Sequence, residues 1–283
     1  MPTELTTLRV NGPGREEIVN GLSYADYDAE AGLRVSSVKS MAKSPLQFHW
    51  DWDHPRASSD AMCWGTAVHT LILEPGNFAD EVACWYGADR RTKAGKSAWA
   101  EFQEESVGKI ILKEDEYNGV LTAGRRASAD PLIAPLMRSG NREVCGWTVE
   151  DGFQCKFRAD WLTVEGQLVD VKTTRNIEPH KFSRNFFTFG YHIQLGLYSH
   201  WLKRLTGHEW PACVVAIENH PPYDCAVYPV ADMILDMGRA AGLGLIGEIR
   251  DCLDRDEWPG VSRGNSVPIE VPQWVLESEE LEL

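Results

Sequence analysis

The stretch "FRADWLTVEGQLVDVKTT", residues 157–174, holds two aspartates inside apolar-rich runs. Asp160 and Asp170 are separated by the turn signal Glu165–Gly166, and Lys172 follows the second aspartate by two positions. Aspartate is disfavoured in β-strands, and a buried carboxylate needs a partner or a metal ion. The stretch is therefore either a poorly built hairpin or a binding site.

The runs around this stretch predict a mixed sheet. "EVCGWTVE", "FQCKFRADWLTV" and "QLVDVKTT" are β-type runs separated by Asp151–Gly152 and Glu165–Gly166, which predicts an antiparallel meander. A helix is expected before them over 115–138, and another follows over 178–206 with a break at Gly190. The later parts are two strands, "ACVVAIEN" and "CAVYPV", and a helix over 231–255. We predict an α/β fold whose mixed central sheet is flanked by helices.

The 283 residues fit one domain, residues 1–283. Within it we expect an irregular N-terminal segment over 1–33, a catalytic core over 140–220 and an acidic tail over 262–283. No run of about 18 apolar residues and no basic leader followed by an apolar segment occurs, so the cytoplasm is the expected location, with no membrane contact. Seven cysteines without a C-x-x-C pair argue against a disulfide framework or a zinc site.

Asp160, Asp170 and Lys172 have the residue types of a metal-dependent hydrolase. Two carboxylates brought together by a hairpin repel each other unless a cation lies between them, and Mg²⁺ takes such oxygen ligands. Asp170 and Lys172 project to one face of a strand, where the ammonium can stabilise charge developing on a phosphate. The alternative is an exposed, salt-bridged hairpin, and the short spacing alone favours that alternative.

Other polar residues are candidates for the same site. His69 lies in the apolar helix "GTAVH", and Glu143 opens the first strand of the meander. His69 is either a packed histidine or a metal ligand, and Glu143 is either an exposed strand charge or a further carboxylate. Gln194 and Tyr198 share one helix face, where they either contact substrate or belong to an ordinary amphipathic helix.

The motifs in this order resemble a nuclease family. "GTAVH", Glu143, "ADWL", "DVKTT" and "QLGLY" are similar to the motifs of the RecB-like branch of the PD-(D/E)XK nucleases. "WGTAVHTLILEP", "RRTKAGK", "CKFRADWL", "VDVKTT", "YHIQLGLYS" and "DEWP" resemble the RecE (exonuclease VIII) type of recombination exonuclease. The likeness covers roughly residues 35–260. It implies the αβββαβ core of that superfamily.

The resemblance implies an activity and a set of roles. Enzymes of this type, encoded by phages or prophages and acting in the bacterial host cell, degrade linear double-stranded DNA from its 5′ end. They leave a 3′ single strand for an annealing protein of the RecT or Redβ type. Asp160, Asp170 and the Val171 carbonyl would hold Mg²⁺, for which Mn²⁺ can substitute, and Lys172 would be the catalytic lysine. His69 and Glu143 would hold a second metal, Gln194 and Tyr198 would lie near the substrate, and no iron–sulfur cluster is expected because the cysteine spacing does not match.

A net charge of −14 disfavours DNA on the outer surface. The resemblance implies a homo-oligomeric ring, a trimer or tetramer, with DNA in a central channel. The segment "DRRTKAGK" is basic on an acidic background and is expected to face that channel, the alternative being a solvated loop. The segment "RVSSVKSMAKSP" is expected to bind the 5′ phosphate. The residues concerned are Arg90, Arg91, Lys93, Lys96, Arg34, Ser36, Ser37 and Lys39.

Three functions are compatible with these motifs. The first is the Mg²⁺-dependent 5′→3′ exonuclease, the second an endonuclease or single-strand nuclease of the same fold, and the third a catalytically inactive DNA-binding module. Linear and closed circular substrates distinguish the first two. The presence of Asp160, Asp170 and Lys172 together argues against the third.

Overall fold

A computed structural model of the chain describes residues 4–10, 12–54, 59–87 and 89–271. Its β-strands are β1 Glu17–Val19, β2 Leu33–Arg34, β3 Val82–Trp85, β4 Ile110–Lys113, β5 Gly140–Glu150, β6 Phe153–Thr163, β7 Leu168–Thr174, β8 Ala212–Glu218 and β9 Cys225–Val230. Its helices are a 3₁₀ turn Leu5–Leu8, α1 Tyr24–Ala29, α2 Val35–Met41, α3 Pro45–Asp53, α4 Asp60–Leu73, α5 Phe78–Glu81, α6 Lys93–Glu105, α7 Glu114–Ala129, α8 Ile133–Leu136, α9 Pro179–Thr188, α10 Tyr191–Thr206 and α11 Asp232–Arg255.

The predicted mixed sheet is confirmed. Its strands lie in the order β1-β5-β6-β7-β8-β9, and β2 pairs in parallel with β6. The predicted meander is β5-β6-β7, antiparallel throughout, with β8 parallel to β7 and β9 antiparallel to β8. The strands β3 and β4 form a separate two-stranded parallel sheet. Strand β7, which carries Asp170 and Lys172, is thus central and paired on both sides.

The sheet has a hydrophobic core on each face. One core, between the sheet and α2, α10 and α11, includes Phe157, Leu168 and Trp201. The other, between the sheet and α4 and α7, includes Trp161 and Val171. Because β7 contributes to both cores, a charged residue on it is buried unless the strand end opens to solvent.

Two sequence-based boundaries were wrong. The described residues of the segment 1–33 are not all irregular: β1 extends the main sheet, and Ser23 caps α1, its hydroxyl accepting a hydrogen bond from the Asp26 amide. The helix expected over 115–138 ends at Ala129, and α8 follows as a separate turn. Pro131 lacks a backbone N–H. The two residues that follow it, Leu132 and Ile133, donate their backbone amides to the Asp130 carboxylate.

The expected acidic tail, 262–283, is only partly described. Residues 262–271 contain no helix or strand, and residues 272–283 lie outside the described residues. In the part of the chain that the structure describes, the helices are too short or too polar to cross a bilayer.

Glycines set the closest helix contact, between α10 and α11. A Cβ added at Gly238 would lie 1.8 Å from the His192 carbonyl oxygen, and one at Gly196 would lie 2.3 Å from the Arg239 amide nitrogen. Both neighbours are backbone atoms, which cannot move aside as a side chain can. The crossing therefore fixes how α10, the helix that carries Gln194, is held over the sheet.

We expect Gly238→Ala to lower the free energy of unfolding by about 1–3 kcal/mol or more, because the methyl group overpacks two backbones. Gly244→Ala, on the same helix with open space around its added Cβ, is the matched control and should raise stability by roughly 1 kcal/mol. Urea unfolding measures both. A Gly238→Ala protein as stable as the wild type would show that the two helices are not tightly packed.

Candidate active site

Strand register aligns three carboxylates in one row across the sheet. Extending the β5–β6 pairing between its assigned neighbours places Glu143 opposite Asp160. Extending the β6–β7 pairing by one position places Asp160 opposite Asp170. The meander thus brings together residues 27 positions apart in the chain, from Glu143 to Asp170.

The regular ladder is interrupted at this row. Glu143 has a φ of 51°, in the left-handed region, which costs a non-glycine residue about 1–3 kcal/mol. On β6 the alternation also changes phase, because Ala159 packs in the core beneath α10 whereas Trp161 packs in the core beneath α4. Instead of a strand carbonyl, the Val171 amide donates to Asp160 Oδ2 at 2.7 Å. This interruption of the β-ladder lets the carboxylates of the row point toward a common place.

Helix α4 delivers His69 to this row. The Nδ1 atom of His69 lies 3.8 Å from Asp160 Oδ2. One turn earlier, a Cβ on Gly65 would lie 2.9 Å from Thr173 Oγ1, so the missing side chain lets α4 approach the end of β7. The G-x-x-x-H spacing therefore has a physical basis: glycine permits the approach and histidine, one turn on, makes the contact.

His69, Glu143 and Asp160 form a group able to hold a metal ion. One ligand atom from each lies within 4.8 Å of the others. Burial and the neighbouring Asp160 carboxylate raise the pKa of Glu143 to about 8, against the opposing effect of Arg158. A buried carboxyl beside a second carboxylate gains from a cation, so this donor set fits a divalent metal.

Asp170 and Lys172 are a buried pair. Lys172 Nζ lies 2.7 Å from Asp170 Oδ1 and 2.6 Å from Oδ2, but only the first contact has hydrogen-bond geometry. Gln194 Nε2 donates to the same Oδ1 at 3.1 Å. Burial raises the pKa of Asp170, and the Lys172 ammonium opposes that rise. Asp170 Oδ2 is thus a buried oxygen without a directed hydrogen bond, which also fits a metal ligand.

The Q-x-x-x-Y residues have different environments. Gln194 contacts Asp170, as described above. Tyr198, one turn later, is buried in the core, where its ring packs against Phe157 with 5.3 Å between centroids. Burial raises the pKa of Tyr198 well above its ordinary value. Val171 is buried on β7, and a ligand role for its carbonyl stays a prediction.

Arg158 was missed by sequence reasoning. Its guanidinium lies 3.0 Å from Glu143 Oε2 and 3.2 Å from Glu74 Oε2, and it stacks over Tyr24. It partly neutralises the carboxylates of the site and holds Glu143 in place. The signal was present as R-x-D, because Arg158 and Asp160 are two positions apart on β6. Glu74 carried no signal, since its role depends on where α4 ends.

Among the described residues, the two basic segments contact residues other than His69, Glu143 and Asp160. Arg91 binds Asp89 with 2.7 Å between Nη2 and Oδ2, and Arg90 stacks over Trp99 at 4.5 Å. Lys93 and Lys96 are exposed on the first turn of α6. Their contact with DNA stays a prediction.

The second basic segment surrounds the start of α2. The Arg34 guanidinium lies 2.6 Å from an Asp28 carboxylate oxygen, and Ser36 is exposed. The Ser37 carbonyl accepts from the Ser40 hydroxyl at 2.7 Å. Lys39 is close enough to Lys172 and Asp170 to interact with them electrostatically, which links this segment to the candidate catalytic residues.

Comparisons with known proteins agree with this geometry. The model of the family "PDDEXK-like domain of unknown function (DUF3799)" matches residues 34–266. A crystal structure named "Putative exonuclease", from Eubacterium rectale, is similar in fold, with a TM-score of 0.59 and 14% identity over 90% of this chain and 97% of that chain. The protein SSO0001 matches with a TM-score of only 0.26 and 14% identity over 78% of this chain and 89% of that chain, so it carries no argument. No curated protein matches the sequence significantly.

Proposed function

The chain belongs to the family of PDDEXK-like domains described as DUF3799, and on that premise we propose that it is a Mg²⁺-dependent exonuclease that degrades linear double-stranded DNA in the 5′→3′ direction. One observation carries the proposal: the row Glu143–Asp160–Asp170 meets His69 and Lys172 at a single place. Carboxylates, an imidazole and a lysine in this arrangement are the equipment for phosphodiester hydrolysis.

The residues divide into metal ligands and groups that act on the phosphate. His69, Glu143 and Asp160 would hold one ion, and Asp170, through its Oδ2 atom, together with the Val171 carbonyl would complete the coordination of a second or shared ion. A bound Mg²⁺ supplies Lewis-acid polarisation of the phosphate and lowers the pKa of its water. The Gln194 amide orients the Asp170 carboxylate.

Lys172 acts as a cation. Although burial lowers its pKa, the carboxylates of Asp170 and Asp160 raise it above its ordinary value, so the amine stays protonated at neutral pH. A protonated lysine cannot accept a proton from water. Its role is therefore to stabilise the negative charge that develops on the phosphate oxygens as the bond breaks.

The finer features rest on the motif resemblance. These are the 5′→3′ polarity, the linear duplex substrate, a homo-oligomeric ring around the DNA, a RecT- or Redβ-type partner, and use of Mn²⁺ in place of Mg²⁺. The charge distribution supports the ring, because a net charge of −14 together with the local basic segment around Arg90–Lys96 favours DNA held in a channel over DNA on the outside.

Labelled DNA tests the proposal directly. We expect linear duplex to lose a 5′ label before a 3′ label when Mg²⁺ is added, and to stay intact in a chelator, because hydrolysis needs the metal group. Closed circular duplex is the matched control and should stay intact. Cleavage of the circle would indicate an endonuclease, preferential digestion of single strands a single-strand nuclease, and no cleavage of any substrate an inactive binding module.

A further inference from the structure

Two lysines and an exposed aromatic residue are among the side chains that meet at the ring of Tyr191, at the start of α10. Lys172 Nζ lies 5.1 Å from the ring centroid, and Lys39 Nζ lies 5.4 Å from it. The ring of Phe189 packs on the same tyrosine, with 5.8 Å between centroids. Since Lys172 belongs to the candidate active site, Tyr191 connects that site to two residues outside the metal group.

Lys39 is a cation without an anion. Among the described residues, none forms an ion pair or hydrogen bond with its ammonium. Burial and the nearby Lys172 lower the pKa of Lys39 to about 8, while Asp170 opposes the change. Two lysines therefore share one side of the site, and the Asp170 carboxylate, which acts on both, is already bound to Lys172. An incoming anion would relieve this repulsion.

Gly190 makes room for Lys39. It has a φ of 65°, which favours glycine, and it separates α9 from α10. A Cβ at this position would lie 3.0 Å from Lys39 Cδ. Phe189 and Tyr191 thus flank Gly190 in the turn. The aliphatic part of the Lys39 side chain passes over this glycine.

Phe189 is an exposed aromatic ring at the edge of this cluster, with 55% of its surface accessible. The two distances to Tyr191 place its ring centroid no more than about 11 Å from Lys172 Nζ. This upper limit corresponds to about three base steps along a DNA strand, at roughly 3.4 Å per step. A nucleobase has an aromatic face that stacks on such a ring irrespective of sequence.

We propose that Lys39, Tyr191 and Phe189 form a nucleotide subsite next to the reacting phosphate. Lys39 binds a backbone phosphate of the DNA strand, and Phe189 stacks on a neighbouring base, while Tyr191 holds both side chains in position. This inference rests on the proposed function. It adds a strand-gripping surface that is independent of the metal ligands and is made by the α9–α10 turn and α2.

The test uses an oligonucleotide duplex with 2-aminopurine near its 5′ end, bound in Ca²⁺ in place of Mg²⁺. Wild-type protein should quench the fluorescence by stacking. Phe189→Ala should remove the quenching and weaken binding, measured by anisotropy, about 5- to 100-fold. Phe187→Ala is the matched control: this ring is 40% exposed but packs on His192, and its loss should change affinity less than twofold.

The phosphate contact has its own readout. Lys39→Gln should weaken binding and reduce the slope of log affinity against log salt by about 1, because one fewer counterion is released. Lys39→Arg should restore the slope, which separates lost charge from lost folding. Lys43→Gln, whose lysine binds Gln47 one turn away, is the control.

The outcomes separate this subsite from the nuclease activity. If wild-type protein cleaves DNA but Phe189→Ala keeps its affinity and quenching, the subsite is overturned and the nuclease stands. If wild-type protein binds with quenching but cleaves nothing in Mg²⁺, the nuclease fails and the subsite stands. A salt slope unchanged in Lys39→Gln overturns the phosphate contact.

Discussion

Asp160→Asn and Asp170→Asn should each reduce the rate of DNA cleavage at least a hundredfold, a loss of roughly 2.7 kcal/mol in transition-state stabilisation. Each change keeps the side-chain shape but removes a negative charge from the row that faces His69 and Lys172. Asp160→Asn also alters one of the three ligands of a metal group whose ligand atoms lie within 4.8 Å of one another. Initial rates on labelled linear duplex, over a range of Mg²⁺ concentrations, measure the effect.

Asp151→Asn is the matched control. Asp151 occupies the β5–β6 turn with a φ of 49°, a conformation that asparagine also adopts, and pairs with Arg250 rather than with the row. It should cleave at the wild-type rate. Circular dichroism on all variants checks that the fold is intact. If either row variant keeps a tenth or more of the wild-type rate, its carboxylate is not a metal ligand.

The meander could be predicted because its signals are local. Alternating apolar residues and turns at Gly152 and Gly166 fix the β5-β6-β7 order, and the register then follows from hairpin geometry. An aspartate in the central strand β7 contradicts strand propensity, and for that reason it marked the candidate site. Local inconsistency of this kind is where functional residues are expected.

The missed features depend on contacts between distant parts of the chain. Arg158 contacts both Glu143 and Glu74. Glu74 lies 84 positions before Arg158 in the chain, and no local pattern encodes a contact at that separation. Strand β1 is only three residues long and pairs with β5 more than a hundred positions away, so residues 1–33 read as irregular. Lys39 illustrates the same limit: its approach to Lys172 requires α2, α10 and β7 to be packed together.

Lys172→Met should lower turnover about a hundredfold or more while leaving metal binding intact. Methionine keeps most of the length of the side chain but cannot stabilise charge on the phosphate. The change also leaves Asp170 buried without its counter-ion, and breaking such a pair destabilises a protein by about 3–5 kcal/mol. The metal-free variant should therefore melt at a lower temperature than the wild type.

A divalent cation can take the place of the lost ammonium, and this separates the two roles of the pair. Because Mg²⁺ binds only the folded site, it should raise the melting temperature more in Lys172→Met than in the wild type, although cleavage is not restored. Lys181→Met, which removes an exposed lysine paired with Glu178, should alter neither rate nor melting. Cleavage within tenfold of the wild type would show that Lys172 only neutralises Asp170. A variant that is inactive and whose melting temperature does not change with Mg²⁺ would show that the lysine organises the metal site rather than acting on the phosphate.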